Sequence, residues 1–150
     1  DSNAYERLVD LTAPYTKAIA HMGDPGCGQK TKMVNQICVA GLIQSLAEGI
    51  HFAQESGLDP KKVMELVGQG AASSWQLINR HQTMIDGDYD HGFAVSLMHK
   101  DLQICLHEAR AEGVSLPITE IVDSYYQQLE SDGNGHKDTS SLLLRLQKRE

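Results

Sequence analysis

From residue 29 to residue 56 the chain runs without a proline, and Gly57 then offers a stop. A stretch of that length with apolar residues at helical spacing reads as one long α-helix. Met33, Ile37, Ala40, Gln44, Ala47 and Ile50 keep that spacing, and Val39, Leu42 and Leu46 add apolar character on other faces. A helix apolar on several sides is one enclosed by neighbours. Ala40, Gly41, Ser45, Ala47 and Gly49 are small enough for those neighbours to come close. The pattern predicts the central helix of a domain.

Shorter pieces of the same kind surround it. Residues 5–11 are amphipathic and Pro14 ends them, while residues 17–22 could form a short strand leading into the turn Gly23-Asp24-Pro25-Gly26-Cys27-Gly28. Asp59-Pro60 reads as a cap followed by a proline in the first helical turn, opening a helix to about Val67. Gly68-Gln69-Gly70 breaks it, residues 72–84 predict one or two short helices, and Gly87 and Gly92 mark a loop. In residues 97–111, Met98, Leu102, Cys105 and Ala109 share one stripe, with Lys100, Gln103, His107 and Arg110 elsewhere. Pro117 opens another helix, with Ile118, Ile121, Val122, Tyr125 and Leu129 expected on its inner face. After a polar loop at 132–137, Asp138 or Thr139 caps a last helix carrying Leu142, Leu143 and Leu146. The expected fold class is all-α, a single multi-helix domain of 150 residues around a long central helix.

A net charge of -7 and scattered basic residues speak against a nucleic-acid partner. No apolar run reads as the roughly 18 residues of a membrane span, so no membrane partner is expected. Three cysteines without a Cys-x-x-Cys pair suit a reducing compartment, with Cys38 and Cys105 expected on apolar helical faces. The cytoplasm is the default expectation. Seven histidines form no His-x-x-x-His pair, and His99 and His107 stand eight apart, so no metal site is expected. Asp86, Asp88 and Asp90 lack the central glycine and closing glutamate of a calcium loop.

Chemistry concentrates in Gly26-Cys27-Gly28-Gln29-Lys30-Thr31-Lys32-Met33-Val34-Asn35-Gln36. Glycines let a turn approach a ligand closely, and the helix that follows aims unpaired N–H groups and its positive end at that turn. Lys32, Asn35 and Gln36 fall at i, i+3 and i+4 and so share a face. An ammonium beside amides suits a small substrate with a carboxylate and a hydroxyl or carbonyl, the lysine exchanging a proton with its oxygen. Spacing alone favours a solvent-facing lysine, as Lys30 is read to be. A phosphate-binding loop is excluded because Gln29 separates Gly28 from Lys30-Thr31 and Pro25 removes an amide.

The segment resembles the Gly-x-Gly-x-x-x-Lys-x-x-Asn-Asn/Gln signature of the β-hydroxyacid dehydrogenases, a family that includes 3-hydroxyisobutyrate dehydrogenase and tartronate semialdehyde reductase. Further matches follow in the family's order. Phe93-Ala94-Val95-Ser96-Leu97-Met98-His99-Lys100-Asp101-Leu102 resembles its Phe-x-x-x-Leu-x-x-Lys-Asp-Leu element. Gly113-Val114-Ser115-Leu116-Pro117 is similar to its Gly-x-x-x-Pro connection, and Asp138-Thr139-Ser140 to the Asp-x-Ser opening its last helix.

The resemblance implies a fold like the C-terminal domain of 6-phosphogluconate dehydrogenase, and hydride transfer between NAD or NADP and a small hydroxyacid or semialdehyde. It implies Lys32 as the acid–base residue, and Gly28 with Asn35 or Gln36 as substrate-binding residues. Lys100 would reach the dinucleotide, Asp101 would be a positioning partner, and Phe93 would pack near the nicotinamide or in the core. Trp75 would line the substrate pocket, or anchor the core or a subunit contact. The nucleotide-binding Rossmann domain of such enzymes is expected to be absent from this chain, and the dinucleotide to be held mainly there. A homo-oligomer formed through the helical domain is expected. Two other readings stay open: an oligomerisation or binding module of a non-catalytic member, and an imine-reducing relative.

Overall fold

The computed structural model describes residues 2–147, with side chains from Ala4 onward. Among them are seven α-helices: α1 (Ser2–Thr12), α2 (Cys27–Glu55), α3 (Pro60–Val67), α4 (Trp75–Asp86), α5 (Val95–Ala111), α6 (Pro117–Leu129) and α7 (Leu142–Gln147). No strand occurs among the described residues beyond an isolated bridge between Ala94 and Asp138. The chain is all-α. It divides into two compact units, the boundary falling between Lys32 and Met33.

In the first unit α1 ends through bonds from the amides of Ala13 and Thr16 to the carbonyls of Val9 and Thr12. Residues 17–22 form no strand, which corrects the sequence expectation. A strand needs a second backbone beside it, and here the Tyr5 hydroxyl is what donates to the Ile19 carbonyl, at 3.2 Å.

The second unit holds the core. Ile43, Ala47 and Ile50 of α2 pack with Met64, Met84, Met98, Leu102, Val122 and Tyr126, so α3 to α6 all contribute to one cluster. α2 closes where the amides of Gly57 and Leu58 reach the carbonyls of Gln54 and Ala53. Asp59 caps α3, its carboxylate accepting from the amides of Lys61 and Lys62, and Ser74 caps α4 by accepting from the Leu77 amide. α5 lies against α6, α3 against α4, and α7 against α6.

Several expected faces turn out differently. α2 is long and apolar enough, by length and composition alone, to cross a membrane, which the residue-by-residue reading overlooked. Its inward residues serve the core, and a core helix has the same composition. Cys38 is exposed, whereas Cys105 is buried. Ile118 and Ile121 are exposed, and the inner face of α6 is instead Thr119, Val122, Asp123, Tyr126 and Leu129. That stripe includes two polar residues, so a count of apolar positions cannot see it. Trp75 is 61% exposed, which removes it from the core.

Candidate functional site

The first unit contains the turn that opens α2. Gly26 has φ 104°, a left-handed backbone that side chains resist, so glycine is required there. The helix then starts at Cys27, two residues earlier than predicted, and Gly28 sits inside its first turn rather than in the loop. A side chain at Gly28 would meet open space, and the residue lines a shallow apolar recess with Tyr5, Leu8, Ile19 and Met22. Lys32, on the same helix, is exposed.

The second unit joins four sequence-singled residues through hydrogen bonds. Asn35 Nδ2 donates to Gln36 Oε1 at 2.9 Å, and Gln36 Nε2 donates to Asp101 Oδ2 at 2.8 Å. Lys100 Nζ lies 3.2 Å from Asp101 Oδ1, its own side chain 60% exposed. Gln36 and Asp101 are buried, while Asn35 is exposed at the end of the chain of bonds. The buried carboxylate therefore has both charge compensation and a donor, as burial demands. This links α2 to α5.

Phe93 stands just ahead of α5 and is 37% exposed, so it is neither core nor fully free of it. Its amide donates to Asp138 Oδ2 at 2.9 Å and its carbonyl accepts from the Thr139 amide at 2.8 Å. Asp138, 1% exposed, also accepts from the Ser140 amide and hydroxyl and lies 3.4 Å from Arg80 Nε. Arg80 in turn places its guanidinium 5.1 Å from the centre of the Trp75 ring. The sequence reading took Asp138 for a helix cap only; its partners come from two other segments. Tyr89, buried close by, has its hydroxyl pushed up to about 12 by burial and then by the Asp138 charge.

A third cluster was not foreseen at all. His99 Nδ1 lies 2.7 Å from Glu130 Oε2 and its Nε2 3.8 Å from Asp123 Oδ1, and Gln103 donates to Asp123. Burial raises the Asp123 carboxyl above its ordinary value, opposed by His99, the Gln103 bond and Arg110. Among the described residues no group of three or more His, Cys, Asp or Glu side chains is set to hold a metal ion.

The second unit is an all-α domain in which two amides of its long helix are tied by a buried acid to a lysine of α5. Residues 26–146 match the family described as NAD-binding of NADP-dependent 3-hydroxyisobutyrate dehydrogenase, and the chain belongs to that family. It is 47% identical over 148 residues to an uncharacterized oxidoreductase from Shewanella frigidimarina, covering 99% of this chain and 51% of that protein. It is 33% identical over 147 residues to 2-hydroxy-3-oxopropionate reductase from Escherichia coli, covering 98% of this chain and 50% of that one. The fold matches the solved 3-hydroxyisobutyrate dehydrogenase from Salmonella typhimurium with a TM-score of 0.86 at 28% identity, over 95% of this chain and 50% of that one. The chain thus spans about half the length of the relatives it matches.

Proposed function

We propose that this chain is the helical part of an NAD(P)-dependent hydroxyacid dehydrogenase whose nucleotide-binding domain is the other part of the protein. The substrate is a small β-hydroxyacid or the matching semialdehyde, of the 3-hydroxyisobutyrate or 2-hydroxy-3-oxopropionate type. The observation that carries the reading is the match of residues 26–146 to this family, which takes in Lys32, Asn35 and Gln36.

The dinucleotide, when bound, supplies or accepts the hydride at its nicotinamide. Lys32 gives its proton to the carbonyl oxygen as the carbon is reduced, and takes one from the hydroxyl in the opposite direction. Gly28, Asn35 and Gln36 belong to the substrate side. The donor set suits a dinucleotide: Lys100 keeps its ammonium at the surface, anchored by Asp101, and Phe93 leaves part of its ring accessible beside the start of α5. Three free cysteines support a reducing compartment, the cytoplasm, and exposed Phe52, Leu66 and Trp75 support self-association through this domain.

The test is Lys32→Ala in the full-length protein, assayed by NAD(P)H absorbance against a panel of hydroxyacids. Turnover should fall by roughly 10²–10⁴, the typical worth of a proton-transfer residue. A thermal melt of the same variant separates lost chemistry from lost folding. Retained turnover would remove Lys32 from the mechanism.

A further inference from the structure

We propose that His99 is a proton-sensitive positioning residue. Carrying its second proton, it clasps Glu130 and Asp123 and so holds residues 135–137 as the cap of α5, the helix that presents Lys100. The consequence for the dinucleotide rests on the reading above and adds control by pH to it; the clasp itself does not depend on that reading.

α5 begins without a side-chain cap, because Ala94 at its cap position has no group to accept from the first amides. The amides of Val95 and Ser96 donate instead to the carbonyls of Lys137 and Gly135, at 2.8 and 3.0 Å. A distant loop therefore does the work of a cap, and it can do so only while it stays in place. It follows a π-helical turn at Glu130–Asn134. A Cβ on Gly135 would stand 3.3 Å from Glu130 Cγ and 3.7 Å from Ser96 Cβ, so the Glu130 stem lies against both the loop and the first turn of α5. His99, about one turn further along α5, takes the Glu130 carboxylate, with Nδ1 2.7 Å from Oε2. The ring of contacts thus starts and ends on α5. Its loop runs on into Asp138, which accepts from the Phe93 amide just ahead of the same helix.

The clasp calls for a proton. A neutral imidazole has one N–H and one lone pair, and an ionised carboxylate only accepts. Here both ring nitrogens face carboxylates, Nδ1 that of Glu130 and Nε2, at 3.8 Å, Oδ1 of Asp123. A neutral ring that gives its N–H to Glu130 turns its lone pair on Asp123, and the other tautomer sets a lone pair against Glu130. The imidazolium suits both. At 3.8 Å the contact with Asp123 is one of charge rather than a hydrogen bond. That charge has few other partners: Asp123 Oδ1 is buried and meets no donor among the described residues, while Gln103 donates to Oδ2. Burial raises the Asp123 carboxyl, and Arg110, further along α5, offsets only part of this. Lys100 and Asp101, next to His99 in the chain, are paired with each other. The His99 side chain is 19% exposed, so a proton can reach it from solvent. Imidazole is the side chain whose ordinary titration falls between about pH 5 and 8. The cap of α5 therefore tightens toward the acid end of that range and loosens toward the alkaline end.

The experiment uses the full-length protein. Hydrogen exchange read by mass spectrometry at pH 6 and pH 8, corrected for the direct effect of pH on exchange, follows peptides spanning 93–102 and 130–138. In the wild type both should lose protection by about fivefold or more from pH 6 to pH 8, the low end of a typical coupling. His99→Gln keeps a donor but does not titrate, and should show the low protection at both pH values. His99→Lys stays charged, and should show the high protection at both. The dissociation constant of NAD(P)H, read by its fluorescence, should rise with pH in the wild type, stay level in both variants, and be the tighter one in His99→Lys. A pH response that survives in His99→Gln would place the proton on Asp123 and overturn the proposal. Equal protection in the Gln and Lys variants would overturn it too, by making the contact one of shape rather than charge. Exchange that follows pH beside a dinucleotide affinity that does not would overturn the link to Lys100. Failure of the underlying reading looks different: exchange would follow pH as expected in a full-length protein that binds no dinucleotide.

Discussion

Replacing Asp138 with alanine tests whether a buried acid holds the start of α5 in place. The carboxylate accepts from the Phe93 amide at 2.9 Å, the Ser140 amide at 3.1 Å and the Ser140 hydroxyl at 2.5 Å, and pairs with Arg80. Alanine strands these groups in a site that is 1% exposed. A buried donor left without a partner costs about 1–3 kcal/mol. Phe93 is partly exposed, the Ser140 hydroxyl can rotate, and the Arg80 side chain is 21% exposed, so water recovers part of the loss. About 3 kcal/mol remains, which for a chain of this size lowers the melting temperature by roughly 6–12 °C. Asp138→Asn keeps the shape and one accepting oxygen but turns a donor toward another donor, and should cost about half as much. Urea denaturation followed by circular dichroism measures both. A loss below about 1 kcal/mol in Asp138→Ala would refute the assignment of this acid as the anchor of the segment that leads to Lys100 and Asp101.

The same anchor can be probed from its other side. Gly92 and Gly87 have nearly equal φ, 73° and 72°, but a Cβ on Gly92 would overlap the Asp138 carboxylate, whereas one on Gly87 meets open space. Gly87→Ala should cost only the left-handed strain of about 1–2 kcal/mol, and Gly92→Ala clearly more, by differential scanning calorimetry; equal losses would remove the steric claim. Asp123 gives a pH signature. Its folded pKa is raised by burial, so the stability tied to its protonated form is present at acid pH and lost as pH rises through the folded value. Asp123→Asn should therefore stabilise the protein at pH 7, and the gain should fade as the pH is lowered to about 4. A variant less stable than the wild type at every pH would contradict that sign.

Much of the fold was readable because its signals are local. The proline-free run predicted α2 to within two residues at each end, and Asp59-Pro60 placed the start of α3. Gly26 was recognised because a turn before a helix calls for glycine. What escaped depends on partners distant in sequence. The inner face of α6 includes Asp123, which is acceptable there because His99, Gln103 and Arg110 of α5 offset its charge or donate to it. Asp138 resembled a simple cap, and nothing near it in the chain announces Arg80. Residues 17–22 illustrate the opposite limit: an apolar pattern compatible with a strand forms one only when another strand supplies its hydrogen bonds.

The site shows the same division at the level of single atoms. Helical spacing alone brings Lys32, Asn35 and Gln36 to one face of a helix, and it treats the two amides alike. Distinguishing them takes a group whose hydrogen-bonding role cannot be reversed, and on this face that group is Asp101, delivered by another helix. Had α5 offered an amide there instead of a carboxylate, either orientation of Gln36 would satisfy it, and Asn35 would present oxygen or nitrogen with equal ease. The adjacent Lys100-Asp101 pair thus does two separate things. The lysine offsets a buried charge and stays accessible at the surface, and the aspartate holds the Gln36 amide that in turn meets Asn35.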